Sequence, residues 1–164
     1  MVNTKRMLVG ILFLLGSGFV LSASASQSPN HVKWMRGVYV AESPVASPVP
    51  AHIAESVART RAREVGGVAV PANGRSMLPL YQSGVIMVIA PAKYQELKRG
   101  QTVVYQNRNG RTVAHILVAK CRTGWRVTGL NNRGHDGEGV NDRNLRGVVV
   151  DAFQPVRGMS VASR

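Results

Sequence analysis

Ser76 lies in the segment Gly74-Arg75-Ser76-Met77-Leu78-Pro79, where a glycine precedes the serine at an expected strand-to-turn transition. A serine hydroxyl becomes a useful nucleophile only when a base within hydrogen-bond reach removes its proton. His115 is a candidate for that base, because an imidazole has an ordinary pKa of about 6.5 and accepts protons at neutral pH. Taken singly, such a serine is more often part of a turn and such a histidine part of a core, so the pair needs a fold that joins them.

Short β-branched runs separated by turn residues predict the elements that must position this pair. The runs are residues 68–70, 85–89, 102–105, 112–118, 125–128 and 147–150. Asn109-Gly110 lies between two of them and is the clearest signal for a hairpin. This spacing predicts a mainly β fold, a small antiparallel barrel or sandwich, with Ser76 at a strand-edge turn and His115 in a later strand of the same sheet.

The N-terminal 25 residues have the pattern of an export signal. Lys5 and Arg6 precede an uncharged, mostly apolar run over residues 7–21, and Ala23 and Ala25 follow in a small-x-small pattern. We expect a hydrophobic helix here, either a signal peptide that is cleaved or a signal anchor that is retained. Residues 26–50 are rich in Ser, Pro, Val and Ala and predict an extended linker, residues 51–65 a short helix, and residues 66–164 the β-rich catalytic domain.

The segment around Ser76 resembles the nucleophile box of the type I signal peptidases (leader peptidases), in which the serine is followed by Met-x-Pro. Other segments resemble that family in the same order along the chain. Residues 84–88 are similar to its Gly-Asp-x-Val strand, residues 97–105 to its Lys-x-Gly-Asp-Ile-Val-Val-Phe strand, residues 128–136 to its Lys-Gly-Asp-Asn-Asn-x-x-Asp-Asp segment and residues 144–149 to its closing Ile-x-Gly-x-Val strand. Each segment alone is weak evidence, but the ordered set over residues 66–153 is strong.

This resemblance implies a serine peptidase with a catalytic β domain of the signal-peptidase type. Ser76 would be the nucleophile, and His115 lies where the family has its general base, a lysine in most bacterial members and a histidine in the archaeal and endoplasmic-reticulum branch. Asp136 matches the family's final acid and would fix the imidazole tautomer, with Asp142 in reserve. Met77 and Pro79, which complete the box, would contact the substrate.

The oxyanion of the reaction would be held first by the Ser76 backbone N–H. Some bacterial members add a hydroxyl two residues upstream, but this chain has Gly74 there, so a second donor would be backbone or water. Acids of the family are replaced by Val85, Gln101 and Leu130, and the arginine after the base is Ile116. If those acids only brace loops, their loss costs stability; if the acid at position 130 orients the histidine, its loss weakens or abolishes catalysis.

The amino-acid composition limits the classes of partner that this protein is expected to bind. The 164 residues include 21 Lys and Arg against 8 Asp and Glu, a formal net charge of +13, which favours anionic partners and fits an anionic membrane surface. Aromatic residues make up only 5%, so nucleic acid is not expected as a partner, since stacking platforms need aromatic rings. The lone Cys121 excludes a cysteine-cluster zinc site, and we predict no metal and no cofactor.

Two hypotheses from different classes follow. The first is a serine endopeptidase at the outer face of the cytoplasmic membrane, in the periplasm or outside the cell, which cleaves an extended polypeptide after small residues. A processor of pilins or conjugation proteins from the same clan is a variant of it. The second is an inactive exported basic β domain that binds peptide, lipid or polyanion through the same cleft. Binding that falls steeply with salt and survives Ser76→Ala would favour the second.

Overall fold

A seven-stranded sheet dominates residues 33–158, the part of the chain that the computed structural model describes. The strands, in chain order, are β1 Trp34–Met35, β2 Val38–Tyr39, β3 Ser47–Pro50, β4 Val68–Ala72, β5 Val85–Ala90, β6 Thr102–Gln106, β7 Thr112–Cys121, β8 Gly124–Thr128 and β9 Leu145–Val156. Helix α1 spans Ala54–Glu64, and a short 3-10 helix spans Tyr94–Glu96. The expectation of a mainly β, antiparallel domain is confirmed, and each of the six predicted runs forms a strand.

The sheet has the spatial order β4-β5-β9-β6-β7-β8, and all neighbours along this path are antiparallel. β3 adds to β9 in parallel, and β1 and β2 form a separate hairpin. The hairpin predicted at Asn109-Gly110 joins β6 to β7, and Gly110 has a φ of 74°, which favours glycine. β4 and β8 lie at the two ends of the order, so within residues 33–158 one edge of β4 has no strand partner.

Apolar side chains fill both sides of the β6–β7 pair. Val104 and Ile116 belong to one buried cluster, whereas Val103 and Leu117 belong to a second one on the other face. Alternation of side chains along paired strands accounts for this division, because successive residues point to opposite faces of a sheet. A strand buried on both faces is held firmly, which matters because β7 also carries His115.

Helix α1 covers a third apolar cluster. Ala54, Ala58 and Ala62 recur at a spacing of four residues, so they lie on one face, and they pack against Ile86 and Val88 of β5. The helix expected over residues 51–65 is thus observed over Ala54–Glu64. Within residues 33–158 no helix is both long enough and apolar enough to cross a membrane. The hydrophobic helix expected over residues 1–25 lies outside the described residues.

The expectation of an extended linker over residues 26–50 is wrong for its described part, residues 33–50. Val40 is buried, and the Ser43 hydroxyl donates a 2.7 Å hydrogen bond to the Gly100 carbonyl. The Tyr81 hydroxyl donates to the Pro44 carbonyl at 2.7 Å, and β3 joins the main sheet. Prolines are tolerated there because β3 is an edge strand, where missing N–H donors cost little.

Candidate active site

Ser76 lies in the connection between β4 and β5, on a turn that several backbone hydrogen bonds hold. The Leu78 N–H donates to the Arg75 carbonyl at 3.2 Å, and the Tyr81 N–H donates to the Met77 carbonyl at 3.1 Å. Met77 is buried and anchors the turn in the first apolar cluster, whereas Ser76 is half-buried. Gly74 has a φ of 140°, a backbone conformation that side chains rarely adopt. Buried Met77 therefore fixes the turn that carries Ser76.

His115 lies near the middle of β7, directly opposite Val103 of β6. Only 6% of the residue is exposed, so its ring nitrogens depend on protein partners. Nδ1 lies 2.5 Å from Oδ2 of Asp136, which leaves Nε2 as the nitrogen available for a reaction. The neighbouring carboxylate favours a proton on Nδ1 and an acceptor at Nε2, the tautomer that a general base needs.

Asp136 reaches His115 from the loop between β8 and β9. Its N–H donates to the Val127 carbonyl at 3.0 Å, which fixes the backbone, and the Tyr105 hydroxyl donates to Oδ2. Burial acts to raise the pKa of Asp136, but the hydrogen bonds from His115 and Tyr105 outweigh it and hold the pKa below its ordinary value. Burial and the same carboxylate raise the pKa of Tyr105, so its hydroxyl keeps its proton and remains a donor.

Gly129 is the point on which the serine turn and the histidine converge. A methyl group placed on Gly129 would lie 2.8 Å from the Ser76 carbonyl oxygen and 2.9 Å from both His115 Nε2 and Asn132 Nδ2. Any two of these three atoms therefore lie no farther apart than twice 2.9 Å. The Asn131 N–H also donates to the Ser76 carbonyl at 2.7 Å, so the loop after β8 binds the serine turn directly.

Ser76 and His115 line one cleft of about 540 Å³. β4 lines the cleft with Val70, Pro71 and Ala72, and the first residues of β7 line it with Thr112, Val113 and Ala114. Because β8 pairs with β7 only from Ile116 onward, residues 112–115 have a strand partner on one side only among the residues that the structure describes. Two strand edges without partners thus border the cleft that holds the serine and the histidine.

Within residues 33–158 no hydrogen bond joins the Ser76 hydroxyl to His115, although the two residues share this cleft. Contacts of this kind are often long in the free protein and shorten when a substrate is bound. The Ser76 N–H likewise donates no hydrogen bond within the described range.

The structure brings Ser76, His115 and Asp136 together, and it adds Met77, which lines the cleft. Pro79 is exposed and is not among the residues that line the cleft, so its expected contact with substrate stays a prediction. Asp142, held in reserve, is exposed in the turn before β9, and Asp136 occupies the position next to the imidazole.

Leu130 is buried in the first apolar cluster and takes no part in orienting the histidine, because Asp136 does so. Val85 is buried in the same cluster. The Gln101 side-chain oxygen accepts a 2.9 Å hydrogen bond from the Lys98 N–H, so an amide braces that turn without an acid.

Sequence reasoning missed Tyr105, Gly129, Asn132 and Arg36. The sequence pattern could have identified Tyr105. The predicted β6–β7 hairpin sets Val103 opposite His115, and alternation puts Tyr105 on the same face as Val103. The ring centroids of Tyr105 and His115 are 6.4 Å apart. Arg36 could not be found this way. Its guanidinium crosses from the β1–β2 turn to donate to the Leu130 carbonyl at 3.2 Å and to Asn131 Oδ1 at 2.6 Å.

No family model, no curated protein and no solved structure matches this chain. The fold and the site define a mainly β domain with a serine and a histidine at one cleft and an aspartate bonded to that histidine.

Proposed function

We propose that this chain is a serine endopeptidase that resembles the type I signal peptidases and cleaves exported or membrane-proximal precursor proteins after small residues. One observation carries the proposal. His115 is bonded through Nδ1 to a carboxylate, and its Nε2 converges with the Ser76 turn on Gly129. A nucleophile, a base and a group that orients the base are the components that serine hydrolysis requires.

The reaction would begin when His115 Nε2 accepts the proton of Ser76 Oγ as that oxygen attacks the substrate carbonyl carbon. The imidazolium that forms is stabilised by Asp136, whose lowered pKa keeps it ionised at neutral pH. Nε2 then gives the proton to the leaving amine, the C–N bond breaks, and an acyl-serine ester remains. Water, deprotonated by the same nitrogen, hydrolyses the ester. Every step uses side chains of this chain and water.

The negative oxygen of the tetrahedral intermediate needs donors that already point at it. The Ser76 N–H, which has no acceptor within residues 33–158, is the first. Asn132 supplies the second in this proposal, because its Nδ2 lies near His115 Nε2 and its side chain lines the cleft. A side-chain amide would thus do what the upstream hydroxyl does in some bacterial members, where this chain has Gly74.

The two edges without partners, on β4 and at the start of β7, suit an extended polypeptide that adds backbone hydrogen bonds to a sheet. Small side chains next to the scissile bond fit a cleft whose floor is already filled by Met77, Met87 and Ile89. The apolar segment over residues 7–21 and the net charge of +13 support action beside an anionic membrane after export. The sheet would then be the catalytic β domain of the signal-peptidase type.

A binding role without catalysis is the second candidate, and one observation favours it. Ser76 Oγ makes no hydrogen bond to His115 in the described part of the chain, so the dyad is not assembled without a ligand. In that case the cleft would hold a peptide, a lipid or a polyanion without cleaving it.

The test uses the full chain in detergent with a peptide that contains an Ala-x-Ala site. Wild type should cleave it, and Ser76→Ala and His115→Ala should each lower kcat by about 10⁴-fold or more, because the two residues act as a unit. Ser56→Ala and His52→Ala, which remove an exposed serine and an exposed histidine, are the matched controls and should retain activity.

Circular dichroism and thermal melting of each variant show whether a loss reflects unfolding. Cleavage that persists in both Ser76→Ala and His115→Ala would mean that the site is wrong. A folded wild type that binds the peptide, with an affinity that Ser76→Ala leaves unchanged, and never cleaves it would favour the binding role.

A further inference from the structure

The cleft that holds Ser76 and His115 is positively charged. Arg75, which precedes the serine, and Arg111, which precedes β7, both line it. None of the residues that line it is an aspartate or a glutamate. Polar neutral side chains, among them Asn73, Gln82 and Asn107, complete its rim. A bound segment therefore meets two cations and no anion in this cleft.

Neither of these two guanidinium groups has a partner in the described part of the chain. Within residues 33–158 neither side chain forms a hydrogen bond or an ion pair, and Arg111 is bonded only through its backbone to Asn107. The acids that pair with lysine or arginine do so elsewhere: Glu55 with Arg59, Glu64 and Asp151 with Arg61, Glu96 with Lys93 and Glu138 with Arg108. Asp136 is bonded to His115. In a chain with only 8 acids, the cleft arginines are free to bind an acid from outside.

The spacing along the strand says where such an acid would lie. Arg75 is next to the nucleophile, and Arg111 is four residues before His115 along a strand that rises about 3.3 Å per residue, so its Cα lies about 13 Å from that of the base. A peptide that pairs with residues 112–114 runs parallel or antiparallel to that edge at the same rise. Its side chains within about four residues of the scissile bond would reach one of the two arginines.

We propose that this cleft selects polypeptide segments that carry an aspartate or glutamate within about four residues of the scissile bond, with Arg75 and Arg111 as the specificity-determining residues. The inference rests on the proposed peptidase function and adds the substrate's charge to it. A guanidinium and a carboxylate can form two parallel hydrogen bonds, so the arginines would select the position of the acid as well as its sign.

The test compares three peptides that share one Ala-x-Ala site and one net charge. The first carries its aspartate three residues from the site, and the second carries it ten residues away. The third has asparagine in place of the near aspartate and a negative charge at its terminus, which keeps the net charge the same. We expect kcat/KM for the first to exceed that for the other two by about three- to tenfold, with a gap that shrinks as salt is added.

Charge reversal sharpens the result. Arg111→Glu and Arg75→Glu should abolish the preference for the near aspartate and favour a matched peptide with lysine at the same position. Arg126→Glu, which reverses an exposed charge outside the cleft, is the control and should keep the wild-type preference. Equal cleavage of the near and far aspartate peptides by wild type would overturn the inference. It would mean that a negative peptide is attracted to the basic protein as a whole and not to Arg75 and Arg111.

Failure of this inference is distinguishable from failure of the proposed function. If wild type cleaves all three peptides at equal rates, the peptidase stands and the charge selection falls. If it cleaves none, binding of the fluorescently labelled peptides to Ser76→Ala is the second measurement. Tighter binding of the near aspartate peptide, lost in Ser76→Ala combined with Arg111→Glu, would keep the acidic ligand and overturn the peptidase. Equal binding of all three would overturn both.

Discussion

The β6–β7 hairpin and the loop over residues 129–136 fix the two halves of the candidate site in different ways. The hairpin holds His115 through an unbroken register from Thr102↔Ile116 to Gln106↔Thr112. The loop holds Asp136 and the Ser76 turn through single contacts, such as the Asn131 N–H to the Ser76 carbonyl and Arg36 to the Leu130 carbonyl. The base is therefore positioned by a sheet, whereas the acid lies on a loop that distant parts of the chain hold and that also bonds the serine turn.

This difference implies that changes in the two regions have different consequences. Damage to the hairpin removes buried apolar contacts and should lower stability first. Damage to the loop misplaces reacting groups by fractions of an ångström and should lower activity first, with a smaller change in stability. The four substitutions below test that separation, beginning with the largest expected effect on activity.

Asp136→Asn should have the largest effect. An amide at this position cannot hold the Nδ1–H tautomer as a carboxylate does, so we expect kcat to fall by about 10³- to 10⁴-fold. The measurement is cleavage of the Ala-x-Ala peptide across pH. Asp142→Asn makes the same chemical change in the exposed turn before β9 and should keep wild-type kcat. Similar losses in both variants would mean that the His115–Asp136 pair has no special role.

Gly129→Ala should lower kcat/KM by about 100-fold, because the added methyl group would push apart the Ser76 carbonyl and His115 Nε2. Gly137→Ala adds a methyl group in the same connection where no atom lies within 4 Å, and it should be nearly neutral. Thermal melting run beside the assay shows whether the loss is local. A Gly129→Ala protein with full activity would show that the loop does not control the distance between nucleophile and base.

Tyr105→Phe probes the boundary between the two regions, since the hairpin supplies the hydroxyl and the loop supplies the acid. Losing a hydrogen bond to a charged group should lower the free energy of unfolding at neutral pH by about 1 to 2 kcal/mol and kcat by about tenfold. Tyr94→Phe removes a hydroxyl from the same apolar cluster and is the control.

The pH dependence of that stability loss has a definite sign. The pKa of Asp136 is lowered in the folded protein, so its contribution to stability is present above the ordinary aspartate pKa of about 3.9 and is lost as pH falls through the lower folded value. The difference in unfolding free energy between wild type and Tyr105→Phe should therefore be largest near neutral pH and shrink below about pH 4. A difference that stays constant down to pH 2 would contradict the assigned charge on Asp136.

Arg36→Asn should have the smallest effect. Arg36 has a φ of 50°, which asparagine tolerates, so the β1–β2 turn should survive while the two hydrogen bonds to the loop are lost. We expect a severalfold drop in kcat/KM with nearly the same melting temperature. Lys33→Asn, an exposed change in the same segment, serves as the control. An equal drop in kcat/KM in both variants would mean that the loss of a positive charge causes the effect and that the two hydrogen bonds do not.

The sequence predicted the strands well because each of them is a local pattern of β-branched residues bounded by turn residues. It predicted Ser76, His115 and Asp136 as one group through their order along the chain, whereas it did not separate Pro79, which is exposed outside the cleft, from Met77, which lines it. It failed for residues 33–50, because a proline-rich segment has the same composition as a linker and as an edge strand, and only the partner strand β9 distinguishes the two.

By itself the sequence determined the mainly β class, the β6–β7 hairpin and the types of residue available for chemistry, because these depend on neighbours within a few positions. Only the tertiary structure decided that Tyr105 and His115 bond the same carboxylate oxygen of Asp136, that Gly129 leaves room for Nε2 beside the serine turn, and that Arg36 bonds the loop. Those contacts join residues far apart in the chain, and their geometry depends on how the whole sheet packs.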